Sequence, residues 1–309
     1  MAERRLNFNV SELKNAAAKA LNRSVSDVNA IQNIAEDGFN RILNVTMNNG
    51  SSVLARLPYS STLPRCLAVA SEVATLDFLR TNGIPAPFVL AYSSGENAFG
   101  VEYMLMERIP GKPLSGIWLS LAEEERCRIL HRIVLMETKL FANTLPACGS
   151  IYYSQEMPPG MPRIGISGSS DLCVGPYASM RWWYEERAEL DVDRGPHVDP
   201  QLVLRSHAEK ELARIRKYGR PRHPFYREYA ESFGYKKHFE VLPAFLAADI
   251  PMAFADHADE GYRSFTEPKL PKNLASTAEK ECAEAEELYR RRHIHFWYLG
   301  LTQVLNKPH

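Results

Sequence analysis

An α+β fold is what this sequence predicts: a small sheet-rich region followed by a larger, mainly helical one. Three observations carry that expectation. Two stretches of alternating polarity flank the pair Asn49-Gly50, a strong short-range hairpin signal. Just beyond them, apolar residues recur at helical spacing, at Val69, Val73, Leu76 and Leu79. After Ile109-Pro110-Gly111 the strand pattern gives way to long segments in which charged residues separate apolar ones.

Taken in order, Ser11 can cap a helix over Glu12–Leu21, which Ala16, Ala17, Ala18 and Ala20 favour. Val28, Ala30, Ile31 and Ile34 read as a first strand leading into Glu36-Asp37-Gly38-Phe39-Asn40. Arg41–Met47 and Ser52–Leu57 form the hairpin, closed by Pro58. The helix that follows ends at Asn82-Gly83-Ile84-Pro85, a glycine-then-proline stop. Phe88–Tyr92 and Gly100–Met106 are two more strands, joined by a turn at Gly95-Glu96-Asn97. Ala122–Phe141 is helical, Pro158–Asp171 is a loop, and Tyr177–Leu190 is aromatic-rich. His207–Tyr218 is an amphipathic helix, and Ser276–Leu301 is a last long helix. Its acidic start and its basic stretch at Arg290–Arg292 suit the helix dipole. The expected organisation is therefore an N-terminal helical extension over 1–27, a five-stranded antiparallel lobe over 28–108 and a helical lobe over 109–309.

Composition narrows the function. The chain has 309 residues, 45% hydrophobic, and its 37 basic residues balance 37 acidic ones. A dominant surface for nucleic acid or for an anionic membrane is not expected. No apolar run reaches the roughly 18 residues that would span a bilayer. The longest candidate, Val241–Ala255, is broken by Pro243, Asp249 and Pro251. Five widely spaced cysteines without a Cys-x-x-Cys pair read as reduced thiols in a cytoplasmic or organellar compartment. The N-terminus has no apolar stretch of the secretory kind, and Arg4 and Arg5 beside Glu3 make only a weak transit signal.

The chemistry-bearing candidates start on the third strand. Alternation places Leu54 and Arg56 on one face and Val53, Ala55 and Leu57 on the other. A charge in an apolar strand needs a partner if it is buried. Glu72, on or beside the inward stripe of the next helix, is the candidate partner; an exposed arginine and an exposed glutamate are the alternative. The group Trp182, Trp183 and Tyr184 reads as packing, and His293 with His295 does not have the spacing of a metal pair.

Taken together, several motifs resemble the aminoglycoside phosphotransferase and choline kinase type of the protein-kinase-like superfamily, in its fungal branch. They are Gly38-Phe39-Asn40-Arg41, Leu54-Ala55-Arg56-Leu57-Pro58, Ala70-Ser71-Glu72-Val73-Ala74-Thr75, Phe78-Leu79-Arg80 with Ile84-Pro85-Ala86-Pro87, and Tyr103-Met104-Leu105-Met106-Glu107 with Ile109-Pro110-Gly111. Fainter similarity continues at Trp182-Trp183-Tyr184, Glu209–Ala213 and Pro268–Pro271. The resemblance implies a nucleotide site binding ATP. In it Gly38, Phe39 and Asn40 form a turn over the nucleotide, Leu54 roofs the purine and Arg56 grips phosphate with Glu72 as its helix partner. The backbone between Glu107 and Ile109 would read the base. It also implies ATP-dependent phosphorylation of a small-molecule hydroxyl whose acceptor the sequence does not identify, and mitochondrial residence as the alternative to the cytoplasm.

Such transfer needs a carboxylate for the acceptor hydroxyl and an Asn and an Asp for magnesium, which this family presents as His-x-Asp-x-x-x-x-Asn and a later strand-end Asp. His197-Val198-Asp199 begins the pattern but reaches Leu204, and His257-Ala258-Asp259 begins it again but reaches Ser264. Family-like text breaks off near Leu246 and resumes near Ala253, so the catalytic and metal-binding loops are expected to be deleted at about 249–253, leaving a shortened helical lobe. No catalytic residue and no metal ligand is assigned, and Mg2+ is expected only if that segment exists. The alternative function is a catalytically dead nucleotide-binding or interaction protein, or a truncated product.

Overall fold

The computed structural model describes residues 6–36, 38–219, 266–269 and 279–305. They fall into two compact units, Met1–Ile109 with Leu145–Pro243 and Pro110–Thr144 with Ala244–His309. This division differs from a single boundary near residue 109: the chain from 145 onward returns to the sheet-bearing unit. The expected deletion at 249–253, the motif at His257 and the apolar stretch at Val241–Ala255 lie outside the described residues.

The first unit opens with α1 (Val10–Ala20). Its cap is Asn9, not Ser11: the Asn9 Oδ1 accepts from the backbone N–H of Ser11 at 3.0 Å and of Glu12 at 3.3 Å. Asparagine caps as well as serine, so the helix begins slightly earlier than expected. Then come β1 (Val28–Glu36), β2 (Asn40–Met47), β3 (Ser52–Pro58), α2 (Leu67–Thr81), β4 (Val89–Ser93) and β5 (Tyr103–Glu107). The strands form one antiparallel sheet in the order β1-β2-β3-β5-β4. Gly50, at φ 84°, supplies the left-handed residue that the β2–β3 turn requires.

The two faces of the sheet are covered differently. Leu13, Ala17 and Ala18 of α1 pack on the face carrying Val45, Val53, Ala55, Leu57 and Leu105. Val69 and Val73 of α2 pack against Met104, on the opposite face. Alternation along β3 follows the expected pattern: Val53, Ala55 and Leu57 are buried, while Leu54 and Arg56 are half-buried. The α+β class and the five-stranded antiparallel sheet, with one helix between its third and fourth strands, are as the sequence predicts.

What the sequence reading did not foresee lies on the far side of α2. A second sheet of β6 (Ser150–Tyr153), β7 (Ile164–Gly165) and β8 (Leu172–Gly175) pairs in the order β6-β8-β7. Part of the segment expected to be loop, Pro158–Asp171, is thus a strand. Ala74 and Phe78 of α2 pack with Ile151, Leu172 and Val174, and Leu67 and Ala70 pack with Tyr152 and Cys173. Ten of the fifteen residues of α2 are buried, because sheets enclose it on two sides.

Farther along, Tyr177 stacks on Trp182 with ring centroids 4.9 Å apart and both are fully buried, so Trp182 is core, while Tyr184 is 38% exposed. The unit's last described helix is α4 (Pro200–Tyr218).

In the second unit α3 (Glu123–Phe141) packs with α5 (Glu279–Leu305), and Leu130 and Ile294 of these helices share a cluster with Trp118, which precedes α3. The Tyr298 hydroxyl donates to Glu137 Oε2 at 2.8 Å. Arg290 pairs with Glu287, one turn earlier in α5. Among the described residues no helix is long and apolar enough to cross a membrane.

Candidate functional site

The site begins with strand register. Arg56 lies opposite Ile42 on β2 and opposite Met104 on β5, so these three side chains share the face that α2 overlies. Glu72 projects from the second turn of α2 toward that row, and the Arg56 Nη1 meets the Glu72 Oε1. Of the two arrangements the sequence left open, the ion pair is the one that forms. The side chains keep 24% and 35% of their surface, so the guanidinium remains reachable from solvent.

Asn40, Thr62, Val69 and Met104 join Arg56 and Glu72 around a space of about 20 Å³. That is room for about one water molecule. A group the size of phosphate does not fit inside it.

The turn at Gly38-Phe39 is fastened to the segment after β3. The Phe39 carbonyl accepts from the Tyr59 N–H and from the Thr62 hydroxyl, both at 2.7 Å. A Cβ on Gly38 would meet nothing within 4 Å, and its backbone is not left-handed. Its small size therefore answers no need of the fold itself. At the mouth of the same turn Arg41 pairs with Glu36 at 2.8 Å. Hydrogen bonds from Asn33 and Arg41 hold the Glu36 carboxyl below its usual range.

The hinge residues stand apart from this group. Glu107 lies opposite Val53, which places its side chain on the α1 face, away from Arg56. Its carboxylate accepts from the Phe88 N–H at 2.9 Å, and its own N–H donates to the Phe88 carbonyl at 2.9 Å. Ile109 is 58% exposed. The structure thus gathers Asn40, Arg56 and Glu72, sets Leu54 in the adjacent row and fixes Gly38 and Phe39 nearby. The side chains of Glu107 and Ile109 do not join them.

Two features escaped the sequence reading. The first is Asn44, opposite Leu54 on the Arg56 face, 3% exposed, with an Oδ1 that has no hydrogen-bond partner. Its position in an alternating strand gave the face but not the burial. The second is the bracing of α2 by the small sheet. The Tyr153 hydroxyl donates to Asp77 Oδ2 at 3.0 Å, and the Tyr92 hydroxyl donates to Glu156 Oε1. Burial pushes both phenols above their ordinary range, and the neighbouring carboxylates add to it. At the head of α2 the Glu102 carboxylate accepts from the N–H of Cys66, the residue that precedes the first turn, at 3.0 Å.

His197-Val198-Asp199 is structural in both its functional-looking members. His197 is 2% exposed and exchanges backbone hydrogen bonds of 2.8 Å with Cys148. The Asp199 Oδ1 accepts from the Gln201 N–H at 2.9 Å and caps α4. Among the described residues no group of three His, Cys, Asp or Glu side chains could hold a metal ion.

No family model matches the chain. A subtelomeric hrmA-associated cluster protein of Aspergillus fumigatus is 41% identical over 168 residues, 54% of this chain and 32% of that protein. The altered inheritance of mitochondria protein 9, mitochondrial, of Candida tropicalis is 36% identical over 138 residues, 41% of this chain and 22% of that protein. The matched part thus spans a third or less of the length of these relatives. Among solved structures, the streptomycin–ATP–APH(2")-IIa ternary complex superposes on 46% of this chain and 44% of its own, with a TM-score of 0.33 and 12% identity.

Proposed function

We propose that this chain grips the phosphates of a nucleotide, ATP, through Arg56, as the kinase-like order of its sheet unit suggests, and that it does so without transferring phosphate. The observation that carries this reading is the ion pair of Arg56 with Glu72 on the α2-facing side of the sheet. In it the helix carboxylate orients a guanidinium that would otherwise sample many rotamers. Arginine presents a planar fork suited to two phosphate oxygens at once. Gly38 leaves the fastened turn open for close approach, and Leu54 and Met106 offer apolar surface one row away.

Transfer would require a carboxylate beside the acceptor hydroxyl. The sequence has no complete His-x-Asp-x-x-x-x-Asn, and its first partial copy is spent on a backbone bridge and a helix cap. Binding is therefore the better-supported function than catalysis, and no residue is assigned to a small-molecule acceptor. The mitochondrial relative supports the mitochondrion over the cytoplasm as the compartment; imaging a fluorescent fusion of the full chain against a mitochondrial marker checks this.

Thermal denaturation with ATP, with and without magnesium, tests the binding. A ligand at 100 times its Kd stabilises by about 2.7 kcal/mol. The expected result is a magnesium-independent rise in Tm that Arg56→Ala abolishes. No rise under any condition defeats the proposal.

A further inference from the structure

We infer that the cleft between α2 and β4 is a second ligand site, and that it takes a free aromatic α-amino acid, with Asp77 holding the ammonium and Arg80 the carboxylate. The cleft shares α2 with the nucleotide reading above but none of the residues around Arg56, so the two stand or fall separately.

The cleft has a volume of about 360 Å³, within the range of small-ligand pockets. Val73 and Leu76 of α2 and Val89 and Ala91 of β4 give it apolar walls. Tyr92 and Tyr153 line it as well and are half-buried, so they keep ring surface to offer. Their hydroxyls are taken, by Glu156 and by Asp77, which fixes the two rings in place. Asp77 is exposed and Arg80 half-buried, so both charges can be reached from solvent.

Those two charges select the ligand. Asp77 and Arg80 stand three residues apart on one helix, a spacing at which opposite charges meet. Glu287 and Arg290 meet at that spacing in α5. Among the described residues Asp77 and Arg80 form no such pair, because each is drawn elsewhere. The Asp77 Oδ2 accepts from the Tyr153 hydroxyl at 3.0 Å. Arg80 donates from Nη1 to the Ala86 carbonyl at 2.7 Å and lies over the Phe88 ring. A carboxylate and a guanidinium are thus held apart at one cavity, with the Asp77 Oδ1 and the Arg80 Nε and Nη2 making no hydrogen bond among the described residues. A ligand that satisfies both carries an ammonium and a carboxylate on one carbon, with apolar bulk for the remaining space. A free amino acid has that head group, whereas each end of a peptide has only one of the charges. The tyrosine rings favour an aromatic side chain over an aliphatic one.

Calorimetric titration of the full chain at neutral pH tests this with L-phenylalanine, phenethylamine, which lacks the carboxylate, and 3-phenylpropionate, which lacks the ammonium. The wild type is expected to bind L-phenylalanine about tenfold or more tightly than either analogue, the equivalent of one hydrogen bond to a charged group. Asp77→Asn keeps an acceptor for Tyr153; it should weaken L-phenylalanine about tenfold and leave 3-phenylpropionate unchanged. Arg80→Gln should weaken L-phenylalanine and 3-phenylpropionate and leave phenethylamine unchanged. Wild-type protein that does not bind L-phenylalanine at millimolar concentration, or binds an analogue as tightly, overturns the inference, and this comparison needs no variant. A variant that keeps wild-type affinity for L-phenylalanine, or that weakens all three probes alike, overturns it as well.

Discussion

Arg56 with Glu72 and Glu287 with Arg290 and Arg291 are the same chemistry built in two ways. The second set lies within one turn of α5, at spacings of three and four residues, where helix geometry alone brings the groups together. The first joins the third strand to a helix, and it exists only while α2 is docked on the sheet. A local pair reports on its helix. A pair spanning two elements reports on the packing of a whole unit, and that packing is where a binding site can be held ready. The two-sided burial of α2 gives the Arg56 pair a rigidity its exposed surface alone would not provide.

The largest effect should come from removing the support on the far side of α2. Phe78→Ala opens a cavity between α2 and the small sheet and should cost about 3–5 kcal/mol. Urea unfolding monitored by circular dichroism should show the midpoint fall, while the helical pair at Glu287 is unaffected by the substitution itself. Next in size is Tyr153→Phe, which deletes the hydroxyl bonded to Asp77 and should cost about 1 kcal/mol. It should leave ATP affinity nearly unchanged, since Glu72 keeps its register on α2. A loss of ATP binding equal to that of Arg56→Ala would show that the small sheet does more than brace.

The local pair gives the contrasting test with pH. Hydrogen bonds from Arg290, with Arg291 adding to them, lower the Glu287 carboxyl to about 2. Because the folded value lies below the unfolded one, the stabilisation is present above the unfolded range near 4.3 and lost as pH falls toward 2. Carboxyl NMR titration should show Glu287 as an unusually acidic group, and Glu287→Gln should remove that titration without changing ATP affinity. The smallest effect is expected at Gly38→Ala. A Cβ there meets open space, so unfolding stability should hold within about 0.5 kcal/mol, while ATP binding weakens if the turn closes over phosphate.

Much of the first unit was legible because its signals are periodic or local. The hairpin at Asn49-Gly50 and the alternation of Val53, Ala55 and Leu57 specify strands and faces, and from the faces follows the side on which Arg56 must lie. The helix stripe gave α2 but not its second covering. β6 and β8 are four residues each and β7 is two, too short for a period to register. A further signal was present in Leu67-Ala68-Val69-Ala70, which is apolar all round and not along one stripe. In the structure a Cβ on Gly149 would collide with the Gly175 carbonyl, so these glycines mark a close approach of two backbone segments that no period announces. The burial of Asn44 was not legible, because burial of one amide depends on what covers it, and no pattern along β2 carries that.

A phosphate grip that operates without transfer leaves a direct spectroscopic signature. Phosphorus-31 NMR of ATP in the presence of the full chain addresses it most directly, with and without magnesium and against Arg56→Ala. Broadened and shifted β- and γ-phosphate resonances that revert in the variant, with no ADP accumulating over hours, are the result this account predicts. Resonances untouched by the wild-type protein, or steady formation of ADP, would contradict it.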